Sequence, residues 1–158
     1  MRVQEIMHTQ VSSCGPEDSL ERAAQLMWEN DCGALPVSAG DGASRVIGMI
    51  TDRDITMCAL FQHTTLDQLH VREAMSKSVE TCRSSDSVAQ AEKIMREARI
   101  RRLPVLDGAG SLAGIITLAD LAREASHERM RDHKELTETE ICGTLAAIVK
   151  PARQGLAA

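Results

Sequence analysis

The sequence predicts a mixed α+β (α/β) protein: two β-α-β-β-α copies packed as a pseudo-two-fold pair, followed by a helical tail. Three observations predict it. The chain repeats itself, each copy carries the same order of apolar runs and breakers, and the composition is close to the soluble globular average. Over 158 residues the chain is 43% hydrophobic and 26% charged. A chain of that length buries roughly 70% of its unfolded surface, so it needs neither disulfides nor a metal to fold.

The repeat is read by sliding residues 3–37 forward by 68 positions. Thirteen pairs then coincide, among them Val3/Val71, Met7/Met75, Cys14/Cys82, Asp18/Asp86, Met27/Met95, Leu35/Leu103 and Pro36/Pro104. Average composition gives roughly two by chance over such a window. Beyond the loop AGDGAS the offset drops to 66, since that loop is two residues longer in the first copy; Gly48/Gly114, Ile50/Ile116, Thr51/Thr117 and Asp54/Asp120 then align. Loops are where such length changes are tolerated. The copies span residues 1–62 and 71–124, with 63–70 as linker and 125–158 as a C-terminal helical extension.

Within the first copy, VSSC is short and β-compatible, and Gly-Pro after it marks a turn. Asp18 opens D-S-L-E, a capping-box pattern with Glu21 three residues on. Leu20, Ala23, Ala24 and Met27 follow at helical spacing, ending near Asn30. ALPV and RVIGMI do not alternate cleanly and read as strands buried on both faces. TDRDITMCAL restarts a helix with Thr51 or Asp52 as N-cap. The second copy reads VETC, DSVAQAEKIMREA, LPVLD, LAGIIT and LADLAREA in the same order. Each unit alone has a marginal core, so the copies are expected to stack their apolar faces. The tail is charged, then apolar, with Gly143 as a possible break, Pro151 as a stop, and a stripe of Ile141, Leu145, Ile148 and Val149. That stripe suits either packing on its own domain or a homodimer contact.

Composition excludes several functions. Aromatic content is 1%, only Trp28 and Phe61, too few faces for stacking single-stranded bases. A net charge of −5 gives no pull toward phosphate backbones. No apolar stretch approaches the ~20 residues of a membrane span, and MRVQEIMHTQ lacks a secretory apolar run, so a cytoplasmic location is expected. The five cysteines (Cys14, Cys32, Cys58, Cys82, Cys142) are odd in number, without a C-x-x-C pair. They read as buried apolar residues or free thiols, with a redox responder as a minor alternative.

Catalysis has no support in the residue pattern. His127-Glu128 begins like H-E-x-x-H, but Arg131 stands where the second histidine is needed. His127 and His133 face different sides of a helix, and His8, His63 and His70 read as solvated. Neither a Walker loop nor a nucleophile–base arrangement can be argued from spacing.

The strongest local pattern is G-h-h-T-x-x-D-h, with h apolar. It occurs as Gly48-Met49-Ile50-Thr51-Asp52-Arg53-Asp54-Ile55 and as Gly114-Ile115-Ile116-Thr117-Leu118-Ala119-Asp120-Leu121. Each copy falls where a strand turns into a helix, where unpaired N–H groups and the dipole favour an anion. A Thr hydroxyl there can bond a phosphate or sugar oxygen. A carboxylate one turn in is a natural partner for two cis hydroxyls of a ribose. Taken singly, each pair also reads as an ordinary cap, and duplication would copy a mere cap.

With Glu5-Ile6-Met7 and Glu73-Ala74-Met75-Ser76 at the start of each copy, the Leu-Pro-Val strands and the doubled Thr/Asp segment, the chain resembles a tandem pair of cystathionine-β-synthase (CBS) domains over residues 1–124. The resemblance implies a regulatory, signal-transduction module without catalytic cofactor, binding adenosine-containing nucleotides (AMP, ATP or NAD-like) in clefts between the copies. It places Asp54 and Asp120 on the ribose hydroxyls, and Thr51 and Thr117 on ribose or α-phosphate. Ser13 and Thr81 would face the nucleotide; the backbone at Leu35-Pro36 and Leu103-Pro104 would border the adenine, with Ile50 and Ile116 nearby. Arg101 and Arg102 would clamp phosphates bidentately. Arg53 is a second such candidate, whereas Arg99 reads better as a solvated strand end. A homodimer and an unidentified regulated protein are the expected partners, with neither nucleic acid nor membrane. The alternative is a protein-interaction or dimerisation module that binds no nucleotide.

Overall fold

The computed structural model describes residues 1–39, 45–128 and 137–149. Most of the AGDGAS loop, Arg131, His133 and Pro151 lie outside the described residues. The elements run α1 (Leu20–Glu29), β1 (Ala34–Ser38), β2 (Val46–Thr51), α2 (Asp52–Gln62), α3 (Val71–Ala74), β3 (Cys82–Arg83), α4 (Val88–Ala98), β4 (Arg102–Leu106), β5 (Leu112–Thr117), α5 (Leu118–Glu128) and α6 (Glu138–Val149). This is the mixed helix-and-strand architecture expected, each copy carrying a helix, two strands and a helix in the same order.

The opening strands are weaker than the sequence suggests. In the first copy VSSC contributes only a parallel bridge between Cys14 and Val37, and in the second only Cys82 of VETC lies in a strand, the two-residue β3. Cys14 N–H donates to the Pro36 carbonyl and Ser38 N–H to the Cys14 carbonyl. A single residue therefore uses both of its backbone groups, and nothing extends the ladder. Strand order is β1-β2 in one sheet and β3-β4-β5 in the other. β1 and β2 pair antiparallel, with Leu35 opposite Ile50, Pro36 opposite Met49 and a bulge at Val37/Ser38.

The helix starts follow the caps. Ser19, not Asp18, is the N-cap of α1 and accepts from Arg22 N–H. Asp18 instead takes the Gly15 N–H at 2.7 Å, tightening the Gly-Pro turn. Ser87 caps α4 reciprocally with Gln90. Gly143 does not break the tail helix, which runs through it from Glu138 to Val149.

Two compact units result. One comprises Met1–His8, Glu80–Val105 and the chain from Ile115 on; the other comprises Thr9–Val79 and Leu106–Gly114. The opening segment of each copy therefore belongs to the unit that the other copy builds. Val3 and Gln4 N–H donate to the Asp86 and Ser84 carbonyls, as Val71 and Arg72 N–H donate to those of Asp18 and Pro16. The bonds are related by the 68-residue shift. Val3 is fully buried with Val88, Met95, Leu103, Ile116 and Leu121, and Val71 with Leu20, Leu35, Val37 and Ile50.

Gly48 marks the closest approach in the second unit. A β-carbon there would lie 2.7 Å from Met75 Sδ and 3.1 Å from the Ser76 carbonyl oxygen. Ser76 crosses β2 at this point, exchanging both backbone bonds with Met49. In the first unit α6 packs on α4 and α5. Its stripe is split: Ile141 is buried and Ile148 half-buried against the core, while Leu145 and Val149 remain exposed. Among the described residues no helix is long and apolar enough to cross a membrane.

Candidate functional site

The Thr/Asp motif sits at the junctions β2–α2 and β5–α5. At Thr51 the backbone is still extended, φ −119° and ψ 162°, and the helix begins at the next residue. Asp54 Oδ2 accepts from Thr51 N–H at 2.9 Å and from the Thr51 hydroxyl at 2.6 Å. Asp54 N–H returns a bond to Thr51 Oγ1 at 3.2 Å. The second copy repeats this: Asp120 Oδ2 accepts from Thr117 N–H at 2.9 Å and from its hydroxyl at 2.7 Å, and Asp120 N–H donates to Thr117 Oγ1 at 3.3 Å. These are reciprocal capping boxes with aspartate in place of glutamate. Each helix start is also tied to the residue just before the first of the two strands that lead to it, through Asp52 N–H to the Gly33 carbonyl ahead of β1 and Leu118 N–H to the Arg101 carbonyl ahead of β4.

Capping thus accounts for one carboxylate oxygen of each pair and fixes the direction of the other. A carboxylate offers about four acceptor positions, two on each oxygen. Oδ2 spends its own on the threonine, so Oδ1 is the oxygen left outside the cap. The Asp54 side chain is half-buried, and its Oδ1 has no hydrogen-bond partner among the described residues. Asp120 is 3% exposed, and its Oδ1 lies 2.9 Å from His8 Nε2 and accepts from Arg123 at 3.0 Å. Burial works to raise the Asp120 carboxyl. The Thr117 hydroxyl and amide, with His8, outweigh burial and hold it below the usual carboxylate range.

The remaining sequence candidates fall into three groups. Leu35 and Ile50 are fully buried in one core, and Leu103 and Ile116 in the other. Their side chains belong to the packing, beside buried Pro36 and Pro104. Ser13 is exposed and Thr81 half-buried, each immediately before the cysteine that opens its first strand. Arg53 and Arg101 are exposed and Arg102 half-buried, and none has a carboxylate partner among the described residues. Arg99 closes α4 in the left-handed conformation, its N–H on the Met95 carbonyl.

Sequence reasoning missed three features. His8, read as a solvated loop residue, holds Asp120; its partner is 112 positions away, and only its mismatch with Ser76 under the 68-residue shift hinted at it. Glu92 on α4 is 5% exposed and accepts a short hydrogen bond from the fully buried Thr144 hydroxyl of α6, with Arg96 at 3.3 Å. In the first copy that position is Ala24, which lines a shallow groove of about 320 Å³ with Glu21, Gln25, Trp28, Glu29 and Leu66. Trp28 is 89% exposed there, and Phe61 is 73% exposed on α2.

The sequence profile of the CBS domain matches residues 3–59 and 71–127. The chain therefore belongs to the CBS-domain family, as a tandem pair. A CBS domain-containing protein of Bacillus subtilis, YhcV, is 37% identical over 120 residues, covering 76% of this chain and 82% of its own. Hypoxic response protein 1 of Mycobacterium tuberculosis is 35% identical over 119 residues, 75% of this chain and 81% of that protein. The crystal structure of hypoxic response protein I, which holds two coordinated zinc ions, superposes with a TM-score of 0.70 at 33% identity over 78% of this chain and 98% of its own. CBSX2 in complex with AMP gives 0.69 at 26% identity, over 81% of this chain and 98% of that one.

Proposed function

We propose that the protein is a regulatory CBS pair that binds adenosine-containing nucleotides through its two Thr/Asp caps and passes the bound state to another protein. The observation that carries this reading is the doubled cap: a carboxylate fixed through one oxygen by its own threonine, at the start of an 11-residue helix, in both copies. An aspartate in that position can take a ribose diol on its second oxygen while the helix N-terminus favours the phosphate. The AMP held by CBSX2 supports the ligand class. Arg53, Arg101 and Arg102 carry charge without a described carboxylate partner and are the residues proposed to meet phosphates, with Ser13 and Thr81 beside the nucleotide. The mechanism is a population shift, in which the ligand favours the arrangement it binds better. Binding rather than turnover is the proposed role. Calorimetric titration with AMP, ATP and NAD tests it. Saturation at 100-fold excess over Kd should stabilise the fold by about 2.7 kcal/mol; neither heat nor a melting shift at millimolar ligand overturns the reading.

One observation favours a second reading, a protein-interaction role. The face of α1 with Ala24 and Trp28 corresponds to the face of α4 that α6 covers in the other unit, yet here Trp28 stands exposed. Trp28→Ala should abolish self-association in light scattering if this face joins two copies, and leave it unchanged if it does not.

A further inference from the structure

The two caps share their threonine bonds but differ in everything that reaches the second aspartate oxygen. Under the repeat alignment His8 stands opposite Ser76, and Arg123 opposite Met57. His8 is fixed by two backbone bonds to Ile115, both 2.9 Å, and Ser76 by the corresponding pair to Met49, at 3.1 and 2.8 Å. Backbone placement is therefore the same, and side-chain chemistry decides. The His8 imidazole reaches Asp120 Oδ1, whereas the Ser76 hydroxyl donates to the Ser78 carbonyl. Arg123 donates a second bond to Asp120 Oδ1, and Met57 has no donor to offer Asp54. Asp120 consequently has its four acceptor positions filled by its own chain, and Asp54 has two filled among the described residues.

We infer that His8 and Arg123 are built-in competitors for Asp120, so that ligand loads first at Asp54 and reaches Asp120 only by displacing them. The inference rests on the nucleotide reading above and assigns each cap a different rank within it. A ribose diol brings neutral donors. Displacing them breaks two bonds to the carboxylate, one of them from a full guanidinium charge, before the diol forms its own, a loss of about tenfold or more in affinity. His8 and Arg123 side chains are 57% and 59% exposed, so they can swing away without unpacking a core.

The experiment is AMP titration by calorimetry on the wild type, Asp54→Ala, Asp120→Ala and the double variant His8→Ser/Arg123→Met. The double variant carries residues already accommodated at the equivalent positions of the other copy, so it should fold. The expected result is two sites about tenfold or more apart. Asp54→Ala should remove the tighter, and Asp120→Ala the weaker one. The double variant should bring the weaker site level with the tighter. Two equal sites in the wild type, or loss of the tighter site in Asp120→Ala, or an unchanged gap in the double variant, overturns the inference and leaves the nucleotide reading standing. No AMP binding in either the wild type or the double variant overturns both.

Discussion

Val3 and Val71 hold equivalent places in the two copies, and each lies in the core built by the other copy. The 2.9 Å bonds from their amides, to the carbonyls of Asp86 and Asp18, are equivalent too. Both side chains are fully buried. Val3→Ala and Val71→Ala should each cost about 2 kcal/mol, from the lost methyl groups and the cavity left behind. A chain starting at Thr9 should lose far more, because it also strips Val88 N–H of its bond to the Met1 carbonyl. Urea denaturation of the two single variants and the shortened chain checks this. A shortened chain as stable as the whole would mean that Val3 does not hold that core together.

This exchange was not legible in the sequence, although the repeat that underlies it was. Identity at a fixed offset says that Val3 and Val71 are alike, and apolar periodicity says which helix faces are buried; neither says which core a short opening segment joins. The Thr51 cap was legible, since it acts within four residues of itself, whereas the capping box read from Asp18 falls one residue early, the true cap being Ser19. Long-range partners were not legible: His8 looks like any solvated histidine until β5 brings Asp120 to it, and Glu92 lies in a helix whose other charges are solvated. VSSC was overread as a strand because β-propensity describes fitness for a pleated surface, and only Cys14 finds one.

Glu92 and Thr144 give a test of what holds the tail helix. Thr144→Val keeps the shape and removes the hydroxyl, leaving a buried carboxylate with Arg96 alone, at a cost of about 1–3 kcal/mol. Glu92→Leu combined with Thr144→Val replaces both partners by apolar groups and should recover most of that loss, since an apolar pair of similar volume often matches a buried polar one. A double-mutant cycle from thermal or urea unfolding supplies the numbers. If the double variant is less stable than either single one, the hydrogen bond stabilises this helix beyond what packing can replace.

Cys14 and Cys82 sit at equivalent, buried positions. Burial first, and then the negative charge of Asp18 or Asp86, pushes each thiol up to about 12. Thiolate is the reactive form, so at neutral pH both should resist alkylation and mild peroxide in the folded protein. Cys142 is exposed on α6 and should react first. Mass spectrometry after timed iodoacetamide treatment, with and without denaturant, reads the order directly. Rapid labelling of Cys14 or Cys82 in the native protein would revive a redox role for them.

The Asp120 carboxyl makes a prediction about stability in acid that needs no ligand. Its folded form is held below the ordinary carboxylate range by the Thr117 and His8 bonds, against the opposing effect of burial. A group depressed on folding contributes stability that is complete above its unfolded pKa, about 3.9, and disappears as pH falls through the lower folded value. Asp120→Asn retains one oxygen for the Thr117 cap but has no charge to titrate, and its amide faces His8 and Arg123 as a poorer acceptor. The variant should therefore be less stable than the wild type at pH 7, and its deficit should shrink steadily below about pH 4. Urea midpoints measured from neutrality into acid give the two curves. A deficit that stays constant over that range would mean that the loss is one of packing alone, with the charge of Asp120 contributing nothing to the fold.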